Sequence, residues 1–166
     1  LTLEDRKRLA YKAFSTTARY DALISTYFAN EVGDKYPEIL NLTFQKEQTL
    51  RYGENPHQAG ILYSQPNAKN PILNYEQLNG KELSFNNIND LHGCLEVMRE
   101  FKDSEEVVSV AIKHTNPCGV GIGANALEAY TKCYEADKVS IFGGIVGITS
   151  IVDAPTVFSA DRKHGE

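Results

Sequence analysis

The spacing of apolar residues predicts one long amphipathic helix at the start of the chain. Within residues 2–30, the apolar positions that recur at helical spacing are Leu9, Ala13, Tyr20, Ile24 and Phe28. Thr2 is suited to cap this helix at its N-terminus, and Gly33 and Pro37 are expected to end it. The first 40 residues are therefore expected to form a helical segment of their own.

After residue 40 the pattern changes to short extended runs. The segments "NLTFQKEQTLRYG" and "AGILYS" read as strands, and the turn "GENPHQ" separates them. Further along, Asn86 or Asn87 is placed to cap a helix that continues through Phe101. Strands and helices thus alternate in this part of the chain.

The strongest strand signal lies in "EVVSVAIKH", which is β-branched, apolar and too short for a helix. Gly119, Gly121 and Gly123 follow, then a helical pattern in "NALEAYTKCYEAD" and a second apolar run, "VSIFGGIVGITS". A strand, a glycine-rich turn, a helix and a strand in this order predict a βαβ unit with a parallel sheet. The expected fold class is α/β.

Composition excludes several classes of protein. The 166 residues are 42% hydrophobic and suffice for one sizeable core. The net charge of −5 argues against a nucleic-acid or membrane-surface binder, and no apolar run approaches the roughly 20 residues that span a bilayer. Three widely spaced cysteines favour reduced thiols and a cytoplasmic location. Because the chain begins with Leu1 and stops within a helical pattern, we expect a piece of a longer protein with an incomplete site.

The stretch "AIKHTNPCGVG" places Lys113 and His114 at the end of the strongest strand. In open α/β sheets, ligands bind at the carboxyl ends of strands. We expect Pro117 and Gly119 to turn the backbone there, and the following glycines to bring backbone N–H groups near an anion at a helix N-terminus. A solvated strand end and a plain glycine-rich turn explain the same residues, and the pattern alone favours these simpler interpretations.

Two further segments carry hydrogen-bonding groups. In "LRYGENPHQ", Arg51 is followed by Tyr52, Asn55 and His57, and an arginine fork suits phosphate or carboxylate. An ordinary hairpin loop with an incidental arginine is equally compatible. The amides of "SFNNIND" suit a purine-like or carboxamide ligand, although helix capping would explain one asparagine.

A zinc site was tested because Pro117 and Cys118 match half of the zinc-deaminase signature. That chemistry needs H-x-E followed by P-C-x-x-C, but Gly121 stands three residues after Cys118 and no histidine stands two before a glutamate. We therefore expect no metal. Cys118 as a nucleophile activated by a helix N-terminus remains an alternative, although an inert, partly buried thiol is favoured.

Taken together, "LRYGENPHQ", "SFNNIND", "AIKHTNPCGVG" and "SIFGGIVGI" resemble, in this order and spacing, the bifunctional purine-biosynthesis proteins that combine AICAR formyltransferase with IMP cyclohydrolase. The resemblance covers nearly the whole chain. It implies a connecting helical segment over residues 1–40 and the first part of the transformylase domain over 41–166, without the cyclohydrolase domain. The implied fold is a three-layer α/β/α, cytidine-deaminase-like fold preceded by a long helix.

The resemblance also implies roles for individual residues. His114 corresponds to the catalytic histidine and Lys113 to its lysine neighbour, and the substrate-binding positions are Arg51, Tyr52, Asn87 and Gly143. The implied reaction transfers a formyl group from 10-formyltetrahydrofolate to the 5-amino group of the AICAR nucleotide without zinc. The implied partners are AICAR, folate and a second copy in a homodimer, with no nucleic acid and no membrane. A non-catalytic purine-ribotide binding or dimerisation module is the alternative, and we expect this chain alone to be inactive.

Overall fold

The computed structural model describes residues 1–66, 72 and 74–164, with side chains up to residue 161. In chain order the helices and strands of this part are α1 (Leu3–Glu31), β1 (Gln45–Leu50), β2 (Gly60–Ser64), α2 (Phe85–Arg99), β3 (Val107–Lys113), β4 (Asn116–Gly123), α3 (Ala126–Ala136), β5 (Ile145–Ile148) and α4 (Ala154–His164). The chain divides into two units, one of residues 1–48 with 62–70 and one of residues 49–61 with 71–166. All predicted site residues belong to the second unit.

The long N-terminal helix is confirmed, and its start is capped as expected. The Thr2 hydroxyl accepts a hydrogen bond from the Asp5 amide at 3.1 Å, and the Asp5 carboxylate accepts one from the Thr2 amide at 2.8 Å. This is a reciprocal capping box. No residue of α1 is buried, and Tyr20 and Phe28 are 64% and 59% exposed. The periodicity therefore predicted the helix correctly. The apolar side chains of α1 are, however, not buried by the residues that the structure describes.

None of the described helices is long and apolar enough to cross a bilayer.

The main sheet is antiparallel around its central strand, which corrects the predicted parallel sheet. Its order is β4-β3-β5, and β3 pairs antiparallel with both neighbours. The three glycines of residues 119–123 belong to β4 itself and do not form a turn into α3. The strands β4 and β5 therefore share a direction across the connecting helix, but β3 lies between them. The sequence analysis did not predict the short hairpin through which β3 turns back into β4.

The second unit has three layers. On one face of β3, Val108, Val110 and Ile112 pack with Cys94 of α2, whereas on the other face Ala111 packs with Cys133 of α3. Alternate residues of a strand point to opposite faces, so β3 is covered by a helix on each side. The predicted α/β class with a long preceding helix is confirmed. The likeness to a cytidine-deaminase fold stays a prediction.

The glycines of β4 allow α3 to lie unusually close to the sheet. A Cβ placed on Gly119 would overlap the carbonyl oxygen of Cys133, and one placed on Gly121 would overlap that of Ala129. Glycine within a strand marks such close backbone approaches. The anion-binding and turn interpretations of these glycines are therefore wrong, because their role is to admit the α3 backbone.

Candidate active site at one end of the sheet

The lysine and histidine lie where β3 turns back into β4. Lys113 pairs with Asn116, and only His114 and Thr115 separate them. Both turn residues have positive φ, 51° and 63°, as in a type I′ hairpin. Lys113 is half-buried and His114 is exposed. The turn is therefore made by His114 and Thr115, and the expectation that Pro117 and Gly119 would supply it is wrong.

This turn is strained, and three hydrogen bonds that involve side chains hold it. A β-branched residue such as Thr115 rarely adopts a positive φ, and such conformations cost about 1–3 kcal/mol each. The Thr115 amide donates to Asp90 Oδ1 of α2 at 2.7 Å. The His114 carbonyl accepts from Thr115 Oγ1 at 2.6 Å and from Asn116 Nδ2 at 2.8 Å. Sequence reasoning missed Asp90, whose only signal was its place in the amide-rich segment "SFNNIND".

Arg51 and Tyr52 run beside the segment that leads into α2. The Arg51 amide donates to the Leu83 carbonyl at 2.9 Å, and the Phe85 amide donates to the Tyr52 carbonyl at 3.1 Å. The Arg51 guanidinium carbon lies 4.8 Å from the centroid of the Tyr52 ring, and Nη2 donates to the Tyr52 hydroxyl at 3.2 Å. The arginine is exposed, so its guanidinium is oriented by Tyr52 while it still faces solvent.

The loop after Tyr52 is closed on itself and fastened to α2. The Gly53 amide donates to the Gln58 carbonyl at 2.8 Å, and Gln58 Oε1 accepts from the Asn55 amide at 2.8 Å. Asn86 Nδ2 donates to the Glu54 carbonyl at 2.9 Å. The segment "GENPHQ" is thus a compact loop held against the first turn of α2.

Asn87 takes part in capping α2. The cap residue is Ser84, which corrects the expectation that Asn86 or Asn87 would cap the helix. Asn87 Oδ1 accepts from the Ser84 amide at 3.0 Å and from the Ser84 hydroxyl at 2.9 Å. Capping uses the oxygen of the Asn87 side chain and leaves its Nδ2 group outside the cap.

Gly143 and Gly144 lie in the loop just before β5, beside the end of β3. Gly143 is exposed with φ 74°, and a Cβ there would meet nothing within 4 Å. A Cβ on Gly144 would lie 2.7 Å from the Ile112 carbonyl oxygen, which shows how closely this loop backs onto β3. Gly143 also lines a cleft of about 620 Å³ whose other walls are mostly apolar residues of α3, β5 and α4.

The four motifs meet at one end of the sheet. Ile112 pairs with Ile145, so the antiparallel register places the loop with Gly143 next to the Lys113–His114 end of β3. On α2, Asn86 and Asp90 are four residues apart and therefore share one face of the helix. Asn86 holds the loop after Tyr52, and Asp90 holds the hairpin turn.

The structure thus brings the six predicted residues to one region through two routes. Register joins Lys113, His114 and Gly143, and α2 joins the segments of the other three. Among the described residues, the one hydrogen bond between two of the six side chains is that of Arg51 with Tyr52.

Cys118 does not have the surroundings of an activated thiol. The register between β3 and β4 shifts so that Ala111 faces Gly119 and Ile112 faces Pro117, which leaves Cys118 as the extra residue of a bulge. Burial raises the pKa of its thiol, and the residue lies within β4 rather than at a helix N-terminus. The nucleophile interpretation is therefore wrong.

In the described ranges, no group of three or more histidine, cysteine, aspartate or glutamate side chains could hold a metal ion.

Comparison with known proteins identifies the family. The profile of the AICARFT/IMPCHase bienzyme family matches residues 1–164. The chain is 85% identical over 156 residues to the bifunctional purine biosynthesis protein PurH of Clostridioides difficile (strain 630), covering 94% of this chain and 31% of that protein. It is 53% identical to the PurH proteins of Bacillus cereus (strain B4264) and Listeria monocytogenes serotype 4a (strain HCC23), covering 97% and 93% of this chain and 30% of each relative. The chain spans about a third of the length of these relatives. It belongs to the AICARFT/IMPCHase bienzyme family.

Proposed function

We propose that this chain is part of a bifunctional purine biosynthesis protein and carries part of its AICAR formyltransferase site. Family membership supports the assignment, and the relatives are named as such proteins. The observation that carries it is the meeting of four motifs at one end of the sheet, with the Lys113–His114 turn held there by hydrogen bonds. A pure binding module would have no need for both a lysine and a histidine at this point.

The proposed reaction assigns complementary tasks to the two neighbours. The 5-amino group of AICAR is a poor nucleophile, because its lone pair is delocalised into the imidazole ring and the carboxamide. As it attacks the formyl carbon of 10-formyltetrahydrofolate, neutral His114 takes a proton from the nitrogen. The Lys113 ammonium stabilises the oxyanion of the tetrahedral intermediate or protonates N10 of the leaving folate. The new N–C bond forms when the amine adds to the formyl carbon, and the N10–C bond breaks when the tetrahedral intermediate collapses, so that N10 leaves with a proton. No metal enters the proposal.

The side-chain directions at the turn fit this division of work. Consecutive residues of a regular strand point to opposite faces. The backbone of His114, however, is not in a strand conformation, since its φ is 51°. Its side chain is therefore not restricted to the face of the sheet opposite Lys113. The half-buried lysine and the exposed histidine can therefore both serve one reaction centre above the end of the sheet.

Arg51→Ala in the full-length enzyme is expected to raise KM for AICAR and to change kcat little. The proposed partner of Arg51 is the 5′-phosphate, which does not react, so its binding energy holds the substrate in place. Losing roughly 1.5–3 kcal/mol of charged hydrogen bonding corresponds to about a 10- to 100-fold rise in KM. Steady-state kinetics with varied AICAR measure the effect, and Lys46→Ala, which removes an exposed positive charge from β1, is the control. A loss of kcat at unchanged KM would refute phosphate binding by Arg51.

Assays of this chain beside the full-length protein test the proposed function itself. We expect the full-length protein to transfer the formyl group from 10-formyltetrahydrofolate to AICAR, and the 166-residue chain alone to be inactive, because it spans about a third of its relatives. Calorimetric titration with AICAR accompanies both assays. If the full-length protein bound AICAR but transferred no formyl group, the formyltransferase assignment would be refuted in favour of the non-catalytic binding module.

A further inference from the structure

Asp90 ties the proposed catalytic turn to α2, the helix that also holds the loop after Tyr52. Its Oδ1 accepts the Thr115 amide at 2.7 Å, across 25 positions of sequence. Asp90 is half-buried near the N-terminal end of α2, one helical turn after Asn86. Asn86 in turn holds the Glu54 carbonyl at 2.9 Å. One helix therefore fastens both loops through two side chains on the same face.

The pairing of Lys113 with Asn116 joins the two ends of the turn, and the bond to Asp90 ties the turn to an element outside the hairpin. The two other side-chain hydrogen bonds of the turn both end on the His114 carbonyl, and their donors, Thr115 and Asn116, lie in or next to the turn. They stabilise the local shape and move with it. Two consecutive residues at positive φ without a glycine persist only where the surroundings hold them. Among the hydrogen bonds given for the described residues, the one that the Thr115 amide donates to Asp90 joins the turn to an element outside the hairpin.

We infer that Asp90 is a positioning residue for formyl transfer, which rests on the proposed function: by accepting the Thr115 amide, it holds the Lys113–His114 turn in the geometry that the reaction needs. Asp90 itself touches neither the substrate nor the reacting atoms in this account. Its contribution is orientation, and a catalytic group displaced by about 1 Å can lower a rate by about 100-fold. The part that matters is the acceptor oxygen, because the donor is a neutral backbone amide.

Three variants of the full-length enzyme test this inference. Asp90→Ala is expected to lower kcat about 10- to 100-fold and to leave KM for AICAR within about threefold, because it disturbs the reacting groups and not the phosphate site. Asp90→Asn keeps an oxygen that can accept the Thr115 amide, and its kcat is expected to stay within about threefold of wild type. Glu96→Ala, which removes an exposed carboxylate from the same helix but no bond to the turn, is the matched control.

Hydrogen–deuterium exchange gives a readout that does not depend on turnover. The peptide that contains Thr115 is expected to exchange faster in Asp90→Ala than in wild type, Asp90→Asn or Glu96→Ala. Unchanged exchange together with wild-type kcat in Asp90→Ala would overturn the inference. Equal kcat losses in Asp90→Asn and Asp90→Ala would overturn it too, since they would show that the charge matters rather than the acceptor. If wild type itself transfers no formyl group, the proposed function fails, and the exchange experiment still decides whether Asp90 holds the turn.

Discussion

Replacement of His114 by asparagine is expected to lower kcat for formyl transfer by about 10²- to 10⁴-fold, the usual contribution of a general base. Asparagine tolerates positive φ well, so this variant removes the base while it keeps the conformation of the turn. AICAR binding is expected to stay near wild type, because the proposed phosphate contact lies with Arg51. The measurements are kcat from a formyl-transfer assay of the full-length enzyme and Kd from calorimetry with AICAR.

Two companion variants make this result specific. His114→Ala should lose at least as much activity, and any additional loss reports the strain of alanine at φ 51°. His92→Ala removes an exposed histidine of α2 that lies beside Glu96 and should leave kcat unchanged. Near-normal turnover of His114→Asn would refute the assignment of the general base.

The second large effect is on stability: Gly121→Ala is expected to destabilise the protein by at least about 3 kcal/mol, at the upper end of the overpacking range. The added Cβ would overlap the carbonyl oxygen of Ala129 and the amide nitrogen of Cys133, and would lie 3.0 Å from the Lys132 carbonyl carbon. All three are backbone atoms of α3, so no side chain can rotate to make room. The helix would have to move away from the buried face of the sheet.

Thermal unfolding followed by circular dichroism measures this effect. Val120→Ala, at the neighbouring position of the same strand, is the matched control. The Val120 side chain is 37% exposed, so its truncation should change the free energy of unfolding by less than about 1 kcal/mol. Gly143→Ala is a second comparison, since open space surrounds that position and the substitution adds only the strain of a positive φ. If Gly121→Ala unfolded at the same temperature as wild type, the close packing of α3 on β4 would not depend on the glycine.

Local patterns predicted the elements that depend on local interactions. The capping signal at Thr2 and the apolar periodicity placed α1 within a residue of its observed bounds. The β-branched run that became β3 and the helix after Asn125 were also recognised correctly. Strand β4 was not, because its sequence, "NPCGVGIG", has glycine at each of its three buried positions and so lacks the apolar alternation by which a strand is recognised. The wrong sheet direction followed from that omission.

The candidate site shows the same difference between what local patterns predict and what depends on tertiary contacts. The residue types in "LRYGENPHQ", "SFNNIND" and "AIKHTNPCGVG" pointed to the correct segments, and their order and spacing identified the family. The uses of Asn87 in the cap of α2 and of Asp90 in anchoring the turn were not predictable, because each depends on which backbone group folding places beside the side chain. An asparagine or aspartate has the same chemistry in a cap, in a turn or beside a ligand.

By itself, the sequence determined where the main helices and the central strand form, which residues carry the candidate chemistry, and to which family the chain belongs. Those properties reside in spacings of a few residues or in the residue types themselves. Only the tertiary structure decided that the sheet is antiparallel about β3, that the Gly143 loop lies beside the Lys113–His114 turn, and that α2 fastens two distant loops. Strand register and hydrogen bonds across 25 or more residues arise from packing, in which burial of both faces of β3 and the space left by glycine set the arrangement.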